Sequence, residues 1–264
     1  MTVIPFDFLQ DVWVIFLLVL VRITGMFFLS PIFGRRNIPN YYKAGFCFIF
    51  AIIVSNSVPV PDISSYTSLA SYVFLIAKEL FIGLILGFIS YLLFSAIYVA
   101  GQMIDMRIGF GMVSVFDPLT NVQIPITADF YVVFATLFML VTDSHYLLIK
   151  AVSDSFAIIP PDKAIFGGSL AQQMVRLASD AFVIGFRIAA PVTVVVLITD
   201  IALGIIAKSM PQINVFILGL PVKIIVGLLV ILLTIGAFRG IVNVIIQGTY
   251  EEIYKFLKQA ATGP

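Results

Sequence analysis

Long apolar runs separated by short polar or proline-bearing joints set the first expectations for this chain. The runs predict helices over 1–34 (most apolar at 12–33), 44–60, 72–104, 128–149, 178–207 and 213–239. Several exceed the roughly 20 residues that carry a helix across a bilayer. In lipid only helices and closed barrels satisfy their own backbone, and these runs are continuous rather than alternating, so helices are expected. The fold class is therefore all-α and of the integral membrane type. About six long apolar helices would pack as hairpins, some of them broken, in a single domain over 1–264.

Short amphipathic helices are expected near 35–43, 164–177 and 248–259. Ser30-Pro31 with Gly34, Pro39-Asn40, Pro59 to Asp62, Asp117-Pro118, Pro125, Pro160-Pro161 and Gly167-Gly168 fit turns or helix ends. Pro191 and Pro221 differ, because each lies inside an apolar run. Proline removes a backbone donor and crowds the preceding turn, so these two helices are expected to be bent or broken.

Composition strengthens the membrane reading. Hydrophobic residues make up 61% of the chain, charged residues 11%, and the mean hydropathy is +1.13. A soluble domain ordinarily carries about 25% charged residues to cover its surface. With 15 basic against 14 acidic residues there is no basic excess for a nucleic-acid partner, and membrane lipid is the expected surrounding. The lone Cys47, within Phe46-Cys47-Phe48, excludes an intrachain disulfide and reads as a small core hydrophobe. The first residues carry Asp7 and Asp11 but no Lys or Arg, so a cleavable signal is not expected.

Charges interrupt the apolar runs at Arg22, Lys78-Glu79, Arg187, Asp200, Lys208 and Lys223. A charge at mid-bilayer costs on the order of 2.5–3.5 kcal/mol, so Arg22, Glu79, Arg187 and Asp200 are expected at interfaces or facing water. The basic residues fall on both sides of any six-span arrangement and select no orientation. Gly83-x-x-x-Gly87, Gly185-x-x-x-Ala189 and Gly236-x-x-x-Gly240 put bare backbone on one helix face. Such faces permit close helix contact and point to a tightly packed assembly.

No catalytic group, metal site or cofactor is expected. His145, the only histidine, stands in Thr142-Asp143-Ser144-His145-Tyr146, and adjacent residues do not converge as nucleophile, base and orienter. Asp129, Thr136, Asp143 and Lys150 recur every seven residues and would line one helix, with the outer pair ~30 Å apart, too far for paired-carboxylate chemistry. Gly109-Phe110-Gly111 lacks the third glycine and the strand–helix context of a nucleotide fingerprint. The stretch from Gly109 to Pro118 nonetheless joins flexible glycines to bulky Phe110, Met112 and Phe116. Left in water these side chains would be unfavourable, so they belong either in the chain's own core or in a lumen shared with partners.

From Gly109-Phe110 through Phe116-Asp117-Pro118, Ile124-Pro125 and Ser144-His145, the chain resembles the flagellar biosynthetic FliR family, the R/T component of type III export gates. Ala190-Pro191, Asp200, Pro211-Gln212-Ile213-Asn214, Gly219-Leu220-Pro221 and the opening Arg22-Ile23 with Pro31 to Gly34 agree. The resemblance runs over essentially the whole chain and departs at Asp143-Ser144, where the family often has glycine before the histidine. It implies a fusion of P-type and Q-type units, assembled with FliP-like and FliQ-like subunits and contacted by an FlhB-like subunit. It further implies passage of exported flagellar proteins across the bacterial inner membrane at the flagellar basal body, in a complex largely above the membrane plane. The 105–127 loop would be a channel plug made by Phe110, Met112 and Phe116 and hinged at Gly109 and Gly111. Gly83, Gly87, Gly185, Gly236 and Gly240 would serve helix packing. Three alternatives stay open: a secondary transporter with a midplane site at broken helices, a passive membrane scaffold, and an injectisome homologue of the same family.

Overall fold

The structure is a computed structural model that describes residues 6–35, 37–59, 68–112, 125–212 and 214–262. These residues form seven α-helices and no strand: α1 (Phe6–Leu29), α2 (Asn40–Ser55), α3 (Leu69–Ile108), α4 (Ile126–Val141), α5 (His145–Ile158), α6 (Gly168–Ser209) and α7 (Val215–Thr262). A single 3-10 turn, Phe110–Met112, follows α3. Four helices are long and apolar enough to cross a membrane, and α4 with α5 supplies a fifth candidate if the pair counts as one broken span.

Helix ends differ from the expected ones for a consistent reason. The polar stretches expected as separate helices at 164–177 and 248–259 are largely continuous with α6 and α7, of 42 and 48 residues. Hydropathy changes at residue 178, but Leu, Ala, Gln, Met and Arg before it are all good helix formers. A hydropathy boundary is therefore not a helix boundary. Both α6 and α7 run through Pro191 and Pro221 without interruption, since a proline costs one backbone bond and the remaining ladder and the packing offset that loss.

The expected 128–149 helix is two helices. Asp143 takes a φ of 54° in the joint, a left-handed conformation that ends the ladder and that a short polar side chain tolerates. Asp129 and Thr136 thus lie on α4 and Lys150 on α5, so the seven-residue stripe does not line one helix.

The chain divides into two compact units. Unit 1 comprises Met1–Leu92, Asp143–Leu177 and Gln247–Pro264; unit 2 comprises Leu93–Thr142 and Ala178–Ile246. The unit 1 core gathers Ile23, Met26, Leu86, Phe156 and Phe256, all fully buried. There α1 and α3 meet backbone to backbone. A Cβ on Gly83 would collide with the Arg22 carbonyl oxygen, and one on Gly87 would lie 2.6 Å from that of Met26. Gly25 answers from α1, 2.8 Å from the Leu80 carbonyl oxygen by the same measure.

Unit 2 is built on Ile97, Ile104, Ala128, Val196 and Val242, also fully buried or nearly so. Tyr131 stacks on Phe238 with ring centres 4.6 Å apart. Gly185 of α6 sits where a Cβ would be 3.0 Å from the Ala96 carbonyl oxygen of α3. Cys47, on α2, is a free and buried thiol.

Candidate functional site

Two charged centres organise the described residues, one in each unit. In unit 1, Arg22 of α1 and Glu79 of α3 form an ion pair at 2.6 Å with no exposure of either side chain. Arg22 Nε donates to Glu79 Oε2 at 2.6 Å. Its NH1 donates to the carbonyls of Ser155 and Ile159, at 3.1 and 3.0 Å, and to Ser155 Oγ at 3.2 Å. Those carbonyls belong to the C-terminal turn of α5, where a cation is favoured by the helix dipole and by the orphan acceptors there. The guanidinium also lies 4.2 Å over the Phe156 ring. The other Glu79 oxygen accepts from the Asp162 backbone N–H at 3.2 Å. A buried pair whose two members also bond backbone groups of other segments ties α1, α3 and α5 into one unit, and removing one partner would strand the other charge.

In unit 2 the corresponding centre is a single carboxylate. Asp105, in the last turn of α3 and 6% exposed, reaches the N-terminus of α4. Its Oδ1 and Oδ2 accept from Thr127 N–H at 3.0 and 3.2 Å, and its Oδ2 from Ala128 N–H at 3.4 Å. A helix start ordinarily satisfies these amides with the side chain of its own N-cap residue. Here the N-cap is Pro125, which makes no side-chain cap bond. Asp105 supplies the cap from another helix, and its negative charge sits at the positive end of α4. Behind it Gly101 opens the space for Ala128, whose Cα a Cβ at Gly101 would strike. The two helices meet as bare backbone plus one carboxylate.

The segment that leaves this junction begins in the described residues and then passes beyond them. Ile108, fully buried, fills a notch at Gly227 of α7, where a Cβ would lie 2.5 Å from Ile108 Cγ1. Gly109 follows with a φ of 99°, which favours glycine, and its would-be Cβ lies 2.8 Å from Leu220 Cδ1. Phe110, half-buried, opens the 3-10 turn that also holds Gly111 and Met112. Of the expected 105–127 loop, residues 105–108 are thus helical, and Phe116 lies outside the described residues.

The remaining sequence candidates fall in different places. Asp200 of α6 pairs with Lys223 of α7, and the side chains keep 39% and 27% of their exposure. Arg187 is exposed on α6 and makes no ion pair among the described residues. Gly83, Gly87 and Gly185 lie against backbone of the same chain, whereas Gly236 and Gly240 face open space among the described residues. The His145 ring lies tilted against Tyr146, with centres 4.3 Å apart, and its buried Nδ1 takes no hydrogen bond among the described residues. Among those residues no group of His, Cys, Asp and Glu is placed to hold a metal ion.

Sequence reading passed over Asp105. The available signal was modest: an acidic residue near the end of a long apolar helix, and a later helix opening on a proline that cannot cap itself. It also passed over the polar contacts of Gln173 and Arg176 with Glu252, at 2.8 and 2.9 Å, which fasten α6 to α7 inside unit 1.

Comparison with known proteins is consistent along the chain. Residues 13–249 match the family described as Bacterial export proteins, family 1. The flagellar biosynthetic protein FliR of Bacillus subtilis is 35% identical over 250 residues, covering 94% of this chain and 96% of that protein. The FliR protein of Escherichia coli is 24% identical over 90% of this chain and 89% of its own length. That of Aquifex aeolicus is 25% identical over 89% and 88% respectively. A match that covers the helices of both units, together with a relative above 30% identity over nearly its full length, places this chain in family 1 of the bacterial export proteins, among the flagellar biosynthetic FliR proteins.

Proposed function

We propose that the chain is a non-enzymatic structural and gating subunit of the flagellar type III export channel, acting in the inner membrane at the flagellar basal body. It assembles with FliP-like, FliQ-like and FlhB-like subunits so that unfolded flagellar proteins pass through the complex, as one functional domain over 1–264. The plug is the segment that bears Phe110, Met112 and Phe116, with Gly109 and Gly111 as its hinges.

What supports this reading is the contrast around the end of α3. The junction is fixed by buried backbone contacts and a buried carboxylate. The next residues turn at a glycine of positive φ and present a half-buried phenylalanine. A channel that passes polypeptide must be sealed when idle, and apolar bulk can seal it by excluding water. Open apolar faces fit assembly with partners: Leu232, Leu233 and Ile217 on α7 keep 67%, 82% and 66% exposure.

The decisive test is permeability at constant complex level. Changing Phe110, Met112 and Phe116 together to Ala, or deleting residues 109–116, leaves the complex assembled on native gels and leaky to ions. Phe116→Leu, which keeps apolar bulk, stays tight. An assembled triple-alanine complex that remains ion-tight would remove the plug assignment.

A further inference from the structure

We propose that Asp105 is the positioning residue of the gate: by capping α4 from α3, it holds the start and the end of the plug segment at a fixed separation. The proposal rests on the plug reading above, but its site is the junction itself, made by Gly101, Asp105, Thr127 and Ala128.

The chain had a cheaper way to begin α4. A Ser, Thr, Asp or Asn at position 125 would cap the helix locally and tie it to nothing else. Pro125 cannot do so, and the amides of Thr127 and Ala128, both buried, find their acceptor on a residue 22 positions before Thr127. The cap therefore does two jobs. It satisfies buried donors, which any local cap would do, and it joins two helices, which no local cap can do. The contact between Gly101 and Ala128 sets the distance of approach. It is a smooth van der Waals contact, however, and resists sliding along α3 poorly. The carboxylate supplies the missing directional restraint, because its hydrogen bonds weaken steeply when their angle changes. A short carboxylate arm near the end of α3 thus fixes where residue 125 stands relative to Ile108, which is itself seated in the Gly227 notch.

The two jobs can be separated by substitution. Asp105→Ala removes both the cap and the tie. Asp105→Ala with Pro125→Ser restores a local cap but leaves α3 and α4 untied. Asp105→Asn keeps an acceptor oxygen in place and preserves the tie. Each variant is expressed in the complete export complex and purified at equal complex yield. It is then placed in liposomes loaded with a self-quenching anionic dye, and dye release is read beside that of the triple-alanine plug variant.

The Asp105→Ala/Pro125→Ser complex is expected to assemble fully and to leak about tenfold faster than the unaltered one, the factor set by losing a restraint of ordinary cap strength. Asp105→Asn should leak no more than about twofold faster. An assembled and tight double variant would overturn the proposal, leaving Asp105 a helix cap and nothing more. Failure of the double variant to assemble would overturn it too, by making Asp105 a folding residue. The plug reading fails separately, through a tight triple-alanine complex. If that occurs while the double variant leaks, the tie stands and the seal lies at the junction rather than in the phenylalanines.

Discussion

Unit 1 and unit 2 each bury charge at a helix end, and they do it in opposite ways. In unit 1 the cation Arg22 sits on the C-terminal carbonyls of α5 and is itself neutralised by Glu79, so the charge of this centre is balanced within the chain. In unit 2 the anion Asp105 sits on the N-terminal amides of α4, with backbone donors as its partners. The other charges of unit 2 are open by comparison: the Asp200–Lys223 pair is partly exposed, and Arg187 is exposed. The difference teaches where the chain is finished. A charge buried among groups of its own chain is fixed in place before any partner arrives, whereas one left half-covered in apolar surroundings can still be shared with an assembly or with water.

The sharpest way to break this comparison is to unbalance the closed centre. Arg22→Leu or Glu79→Leu alone should cost about 3–5 kcal/mol, because each strands a buried charge, and should remove the subunit from membranes. The double variant should recover part of the loss, limited by the carbonyls of Ser155 and Ile159 that Arg22 no longer meets. Subunit level by immunoblot decides it; single variants as abundant as wild type would show that the pair is not a folding centre.

A smaller effect separates packing inside the chain from surface left open. Gly83→Leu forces a side chain against the Arg22 backbone and should cost about 1–3 kcal/mol or more, as overpacking does. A Cβ at Gly236 meets nothing within 4 Å among the described residues, so Gly236→Leu should leave the isolated subunit unchanged in thermal solubility in detergent. If only assembly with partners suffers in Gly236→Leu, the open face of α7 is an interface. Equal instability in both variants would erase the distinction drawn between the two glycine pairs.

The smallest effect is expected at the half-exposed pair. Asp200→Leu should cost less than about 1 kcal/mol, the usual worth of a solvent-screened ion pair. Asp200→Lys should be worse, since it sets a cation against Lys223, and Asp200→Lys with Lys223→Asp should recover motility. Equal motility in Asp200→Leu and Asp200→Lys would mean that the pair carries no weight.

By itself, the sequence determined that this is a helical protein fit for a membrane, because the length and continuity of apolar runs report directly on burial in lipid or protein. It also determined the family, through short motifs such as Pro211-Gln212-Ile213-Asn214 spread along the chain. Helix ends were legible only where a backbone signal marked them. The polar starts of α6 and the polar close of α7 read as separate helices, since hydropathy reports environment and not hydrogen bonding. Arg22 and Glu79 were visible as charges in apolar runs, but 57 residues separate them, and nothing local says that they meet. Asp105 left only a faint trace, an acid near the end of a long apolar helix, and nothing local says that it caps a helix 22 residues further on. Only the tertiary structure decided which glycine faces were filled by the chain's own backbone and which acid capped which helix. Those choices depend on angles between helices far apart in sequence, and a one-dimensional pattern carries no record of them.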